Sequence, residues 1–174
     1  MSKWDKGEAL EVGIKDQLES YGFIVTKTQS KINNRIIGDN GTDLIFQKKI
    51  NNQMIRGVIQ SKCWKNELEG GVVRDLQGVL ANQYPDRIGI IVINQGGTGT
   101  RAKNLARNSK NTILIYDFNE LRYLEKDLRR LSKQNKLQTS YCQIENFENG
   151  EIIEKTHKVK RRIKFEKYSR FSVY

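Results

Sequence analysis

The residues best suited to chemistry lie on two neighbouring apolar segments. Asp43 begins the first segment, and Gln60 and Lys62 stand two residues apart on the second. Because successive side chains of a strand point to opposite faces, Gln60 and Lys62 are expected on one face. The polar residues 48–57 suit a hairpin turn that brings Asp43 beside that face. A carboxylate, an amide carbonyl and an ammonium at one place can hold a divalent metal ion and a phosphate group.

The charge of the chain indicates its partner. A length of 174 residues is enough for one domain with a modest extension, and 37% of the residues are hydrophobic. The formal net charge is +11. Such a basic excess bears on partners rather than on fold, and nucleic acid is the first candidate. An anionic membrane surface is the second candidate, weakened because no apolar run approaches the length of a spanning helix.

Several classes of site are disfavoured by composition. The chain has two cysteines, Cys63 and Cys142, and one histidine, His157, too few for a disulfide framework or a zinc site. Residues 96–100 form a glycine-rich loop without the Gly-Lys-Ser/Thr ending of a P-loop, so no nucleotide cofactor is expected. The first residues lack the apolar core of a secretory signal, which predicts an intracellular protein. The cytoplasm is expected in a prokaryote, with the nucleus open for a eukaryotic source.

Hydrophobic periodicity predicts an α/β sandwich with a mixed sheet, built from an antiparallel meander followed by parallel crossovers. The predicted helices cover residues 5–21, 72–83, 101–108 (capped by Thr100) and 118–136 (capped by Asp117). The predicted strands cover residues 23–25, 43–47, 55–64, 88–93 and 112–116. Residues 29–42 are predicted to be a loop.

The end of the chain differs in composition and is predicted to be a separate extension, residues 138–174, after a main domain of residues 1–137. Its pattern predicts a β-hairpin followed by a basic tail. From Lys155 onward the sequence contains eight Lys and Arg residues and one Glu, which is a net charge of +7 out of the chain's +11. Aromatic residues lie between these cations, which favours a DNA clamp or a dimerisation arm over a solvated tail. The predicted DNA contacts are Lys160, Arg161, Arg162 and Lys164, together with Arg101 and Lys65.

An ordered set of motifs resembles the Mrr-like branch of the PD-(D/E)XK nucleases over about residues 8–121. The set comprises Glu11, the run Gly38-Asp39-Asn40-Gly41-Thr42-Asp43-Leu44, the run Val58-Ile59-Gln60-Ser61-Lys62-Cys63-Trp64, the helix segment Val72-Val73-Arg74-Asp75-Leu76-Gln77-Gly78 and the strand Gly89-Ile90-Ile91-Val92. A glycine/threonine loop, residues 102–106 and residues 113–117 continue the pattern. Each element alone is weak, and their order is the specific signal.

The resemblance implies a restriction-endonuclease-like α/β/α sandwich and a Mg²⁺-dependent DNA endonuclease, with Mn²⁺ able to substitute. Such enzymes commonly act as homodimers. Asp43 and Gln60 match the metal-site positions, and Lys62 matches the catalytic lysine. Glu11 matches an acidic residue on the first helix that assists the metal or its water, with Glu8 as the alternative. Gln77 matches a supporting position on the second helix.

One departure from the wider superfamily is Gln60, which stands where an Asp or Glu is usual. The substitution follows the Mrr-like variant and removes one negative charge, so weaker metal binding or a greater role for Glu11 is expected. Two other functions stay open. One is a resolvase for branched DNA on the same fold, and the other is a non-catalytic DNA-binding module on a nuclease scaffold.

Overall fold

A computed structural model describes residues 3–28, 30–32, 35–37 and 41–134. The helices are α1 (Lys3–Ser20), α2 (Gly70–Asn82), α3 (Thr100–Arg107) and α4 (Leu124–Lys133), with a 3₁₀-helix at Phe118–Tyr123. The strands are β1 (Ile24–Lys27), β2 (Ser30–Ile32), β3 (Arg35–Ile37), β4 (Leu44–Ile50), β5 (Gln53–Lys62), β6 (Ile88–Ile93) and β7 (Ile113–Asp117).

The central sheet has five strands in the order β1-β4-β5-β6-β7. The pairs β1/β4 and β4/β5 are antiparallel, whereas β5/β6 and β6/β7 are parallel. All six residues of β6 are buried, as expected of a parallel strand covered on both faces. The predicted meander followed by parallel crossovers is therefore confirmed.

One face of the sheet packs against α1, the 3₁₀-helix and α4. On α1, the buried residues Leu10, Ile14 and Leu18 are spaced four apart and so align along one side of the helix. The core on this side also contains Val25, Leu44, Phe46, Ile50, Ile55, Ile59, Ile88, Ile90, Val92, Tyr116, Leu121, Leu124 and Leu128.

The opposite face packs against α2 and α3. This core consists of Val58, Leu68, Val72, Val73, Leu76, Leu80, Ile91, Ile93, Ala102 and Ile113. Neighbouring residues of β5 and β6 divide between the two cores, as the alternation of a strand requires. The protein is an α/β/α sandwich with a mixed central sheet, which confirms the predicted fold class.

Two local predictions, for residues 29–42 and for the start of α3, were wrong. The predicted loop 29–42 contains β2 and β3, which pair as a small antiparallel sheet. Strands of three residues are too short to show a hydrophobic period, so the sequence carries no signal for them. Gly99, not Thr100, is the N-cap of α3. A Cβ at residue 99 would lie 3.1 Å from the Leu68 carbonyl oxygen, so the close approach of the chain there favours glycine.

The last predicted helix, 118–136, is divided into the 3₁₀-helix and α4. Its predicted cap is confirmed. Asp117 Oδ1 accepts a hydrogen bond from the Asn119 N–H (3.1 Å), and Glu120 Oε2 accepts one from the Asp117 N–H (3.2 Å), which forms a capping box.

The predicted extension 138–174 lies outside the described residues, and the domain division stays a prediction. Within the described part of the chain, no helix is long and apolar enough to cross a bilayer.

Gly57 provides a test of the sheet packing. It pairs with Phe46 across β4 and β5, and a Cβ at residue 57 would lie 2.2 Å from Phe46 Cε1. We expect Gly57→Ala to lower the free energy of unfolding by about 1–3 kcal/mol, because the Phe46 ring must move. Urea denaturation measures the change.

Gly78→Ala is the matched control. Gly78 lies inside α2, and nothing would lie within 4 Å of its Cβ. This substitution should raise stability by roughly 0.5–1 kcal/mol through helix propensity. Equal effects of the two substitutions would contradict the packing described for Gly57.

Candidate active site

Asp43 stands at the junction of three strands. Its backbone N–H donates to the Ile59 carbonyl (2.9 Å), and its own carbonyl accepts from the Thr28 N–H (3.0 Å). Ile59 is also the register partner of Leu44, the next residue of the chain. Two residues opposite one is the pattern of a β-bulge, which redirects a side chain. The bulge turns Asp43 away from regular alternation at the start of β4.

The redirected carboxylate contacts Ser61. Asp43 Oδ2 accepts a hydrogen bond from the Ser61 backbone N–H (2.5 Å) and another from Ser61 Oγ (2.7 Å). The carboxylate thus accepts from a main-chain donor at the end of β5 that a strand carbonyl would otherwise satisfy. Ser61 is not among the site residues predicted from the sequence. The bulge that brings in its hydroxyl and N–H has no sequence signature here.

Glu11 is the acid on α1 that approaches Asp43. It is 8% exposed, and its Oε2 lies 3.5 Å from Lys27 Nζ. Burial raises the pKa of the Glu11 carboxyl above its ordinary value, the charge of Asp43 raises it further, and Lys27 acts in the opposite direction. Glu8 is exposed. Of the two predicted acids, the structure therefore buries Glu11 within electrostatic reach of Asp43.

The burial of Glu11 follows from its place on the helix. It lies three residues before Ile14 and seven before Leu18, so it falls on the apolar side of α1. A carboxylate on an apolar helix face is a signal that the sequence contains. Val12, the next residue along the helix, is 42% exposed.

Gln60 is buried, with 6% of its surface exposed, and its Oε1 accepts no hydrogen bond within the described residues. Alternation along β5 places Gln60 with Val58, on the α2 side, and Ser61 with Ile59, on the α1 side. A Cβ on Gly41 would lie 3.9 Å from Gln60 Nε2, so the turn before Asp43 passes the Gln60 amide. Buried polar atoms normally have partners, and this carbonyl is an exception.

Lys62 ends β5 and is partly exposed. Its Nζ lies over the indole ring of Trp64, 5.6 Å from the ring centroid. Lys62 and Ser61 line an open cleft of about 990 Å³ between the start of α1, the end of β5 and the segment after β6. The ammonium therefore stands at a surface large enough for a nucleic-acid strand to approach.

The other predicted residues are distributed differently. Lys65 is exposed and lines the same cleft. Arg101 is exposed in the first turn of α3. Gln77 Nε2 donates a long hydrogen bond (3.5 Å) to the Leu105 carbonyl of α3, so helix packing accounts for its position and support of the site stays a prediction. Lys160, Arg161, Arg162 and Lys164 lie outside the described residues.

The α/β/α sandwich agrees with a restriction-endonuclease-like domain. The family model of the Mrr catalytic domain, described as restriction endonuclease, matches residues 3–124, about 70% of the chain. The chain belongs to this family, as the ordered motifs predicted. The comparison with curated protein sequences gives no match.

A solved structure, the MspJI restriction endonuclease in complex with a 27-mer oligonucleotide, is similar to the chain at 14% identity and a TM-score of 0.46. The similarity covers 77% of this chain and 31% of that chain. The chain thus spans about a third of the length of that protein.

The raised pKa of Glu11 predicts a pH-dependent difference in stability. The native state holds the Glu11 proton more tightly than the unfolded chain does. This group therefore favours the native state below about pH 4.5, and that contribution is lost as pH rises through the native-state pKa. In EDTA, Glu11→Gln should be stabilised relative to wild type at neutral pH, and the difference should shrink toward pH 4. Urea denaturation at each pH measures it.

Glu8→Gln is the control, because Glu8 is exposed on the same helix. It should show little pH-dependent difference from wild type. A Glu11→Gln difference that is constant from pH 4 to pH 8 would contradict the assigned burial of this carboxyl.

Proposed function

We propose that this domain is a Mg²⁺-dependent DNA endonuclease that hydrolyses phosphodiester bonds. One observation carries the proposal: in a domain of the restriction endonuclease family, the carboxylates of Asp43 and Glu11 interact beside the end of β5, where Lys62 opens onto a wide cleft. DNA as the substrate is consistent with the net charge of +11.

The residues present fit a hard divalent cation. Within the described residues, no three His, Cys, Asp or Glu side chains gather at one place. Mg²⁺ is held in many proteins by only one or two carboxylates and keeps several waters. Burial raises the pKa of Glu11, the charge of Asp43 raises it further, and a cation would offset both effects. Gln60 Oε1 is a buried oxygen that accepts no hydrogen bond within the described residues. Asp43 and Glu11, on the α1 side of the sheet, would hold the ion. For Gln60 to serve as a neutral oxygen ligand, its amide, on the α2 side of β5, must turn toward them.

The contacts of the chain's own residues support the roles proposed for them. When bound, Mg²⁺ lowers the pKa of a water and neutralises charge on the phosphate. Ser61 keeps the Asp43 carboxylate oriented through two hydrogen bonds, so this acid needs little reorganisation on binding. Lys62, at the cleft surface, attracts a phosphate oxygen and orients the attacking water. Glu11 forms an ion pair with Lys27. In its ionised form, the Glu11 carboxylate accepts the proton of the attacking water.

Plasmid cleavage tests the proposal directly. With Mg²⁺ or Mn²⁺, wild type should cut, whereas Asp43→Ala and Lys62→Ala should lose roughly 10²-fold or more in rate, the scale of a lost acid–base or charge-stabilising group. EDTA should abolish the activity. Lys49→Ala, an exposed lysine of β4, is the control and should cut normally. Equal cutting by wild type and both site variants would refute the proposal.

Gln60 provides a graded test. Restoring a carboxylate with Gln60→Glu should lower the Mg²⁺ concentration needed for half-maximal cleavage, because a negative charge added to those of Asp43 and Glu11 favours the cation. Gln60→Ala should act less severely than Asp43→Ala, since a neutral carbonyl contributes less to holding the ion. Titrations of Mg²⁺ at fixed DNA concentration measure both effects. A Gln60→Ala protein as inactive as Asp43→Ala would contradict this ranking.

A homodimer would deliver one cut to each strand of a duplex. Sedimentation with and without DNA tests that part of the proposal. Cutting of four-way junctions in clear preference to linear duplex would instead indicate a branched-DNA resolvase.

A further inference from the structure

Trp64 is an exposed aromatic residue that the proposed reaction does not use. It lies two residues beyond Lys62, outside β5, with 43% of its surface exposed. Neither hydrophobic core contains it. Burial therefore does not account for the largest side chain in the cleft, and the indole offers a flat apolar surface to whatever enters.

The ring is placed beside the residue expected to meet the phosphate. Lys62 Nζ lies 5.6 Å from the Trp64 ring centroid, at cation–π distance. A phosphate near Lys62 would therefore bring the base of the same or the adjacent nucleotide within reach of the indole. Aromatic rings that stack bases next to cations that track phosphates are the combination used by proteins that bind single strands.

The remaining lining of the cleft suits the edge of a base. Beside the cations Lys6, Lys62 and Lys65, the cleft is lined by the amides and carboxylates of Asn66, Glu67, Glu69, Asn94 and Gln95. Asn and Gln can pair with adenine edges, and Glu accepts from the amino group of cytosine. The carboxylates also repel phosphates, which keeps the backbone toward the lysines. The cleft volume of about 990 Å³ is larger than one side chain could fill, so it leaves room for a ligand.

We propose that this cleft binds an unpaired nucleobase of the substrate strand, stacked on Trp64, next to the phosphate held by Lys62. The unpaired base comes from a single-stranded stretch or is extruded from a duplex. The inference rests on the proposed function for the identity of the strand as DNA, but it concerns binding and requires no cutting.

The experiment follows the fluorescence of Trp64 in EDTA, where no cleavage occurs. The chain has two tryptophans, so Trp4→Phe leaves Trp64 as the sole emitter. Three ligands of equal length are titrated: a single-stranded oligonucleotide, the matched duplex, and a single strand with abasic sites at its centre. The abasic strand keeps the phosphates and removes the bases.

We expect the single strand to quench Trp64 and to bind roughly ten- to a hundred-fold more tightly than the abasic strand. In anisotropy measurements, Trp64→Ala should remove this preference, whereas Trp64→Phe should keep part of it. The salt dependence of binding should stay the same, because no cation is lost. Tyr123→Ala is the control, since Tyr123 is an exposed aromatic residue (47%) outside the cleft, with Arg122 over its ring.

The outcomes distinguish a base that is already unpaired from one extruded from a duplex. They also distinguish a failure of the proposed endonuclease function from a failure of the stacking on Trp64. Quenching by the duplex as well as the single strand identifies extrusion, and quenching by the single strand alone identifies a base that is already unpaired. Equal affinity for the base-bearing and abasic strands, or an unchanged preference in Trp64→Ala, overturns the inference. Stacking without metal-dependent plasmid cutting would refute the proposed function alone, and cutting without stacking would refute this inference alone.

Discussion

The arrangement of the site depends on the hydrogen bonds between the Asp43 carboxylate and Ser61. The pairing of β4 with β5 ends at Leu44 and Ile59, but β5 continues to Lys62. The Ser61 N–H therefore has no β4 carbonyl opposite it, and the Asp43 carboxylate supplies the acceptor. The contact joins β4 to the end of β5 and fixes the acid where Lys62 emerges. Ser61 lies on β5, which pairs with β4 on one side and with β6 on the other, so the donor that holds the carboxylate belongs to a central strand of the sheet.

The same region is electrostatically unfavourable without a counter-ion. Glu11 is buried on the apolar side of α1, and the charge of Asp43 adds to the effect of burial on its pKa. Lys27 offsets part of this cost from 3.5 Å away. The buried Gln60 Oε1 lacks a hydrogen bond within the described residues. A buried carboxyl whose pKa is raised by a second carboxylate is a common feature of functional sites. The stability lost here is the physical basis for expecting a cation.

Many of the helices and strands were predictable because their residues follow regular hydrophobic or capping patterns. The apolar run of β6 predicted a central strand with its observed bounds, Ile88–Ile93, and Asp117 predicted a helix start through its cap. The ordered positions of Asp43, Gln60 and Lys62 predicted the family, which the match over residues 3–124 confirms. The small sheet of β2 and β3 was missed, since three-residue strands have no measurable period. The N-cap of α3 was placed one residue late, because the extended residue before the first turn is Gly99, whose carbonyl accepts from the Lys103 N–H and which has no capping side chain.

The sequence alone determined the fold class and the family, and it predicted site residues near the start of β4 and the end of β5. These follow from hydrophobic period and from residue order along the chain. Only the tertiary structure decided which neighbour each residue has. Alternation placed Gln60 and Lys62 together, but a bulge opposite Ile59 turned Asp43 toward Ser61. The choice between Glu11 and Glu8 likewise depended on how α1 packs against the sheet, because burial and the charge of a distant residue act through space.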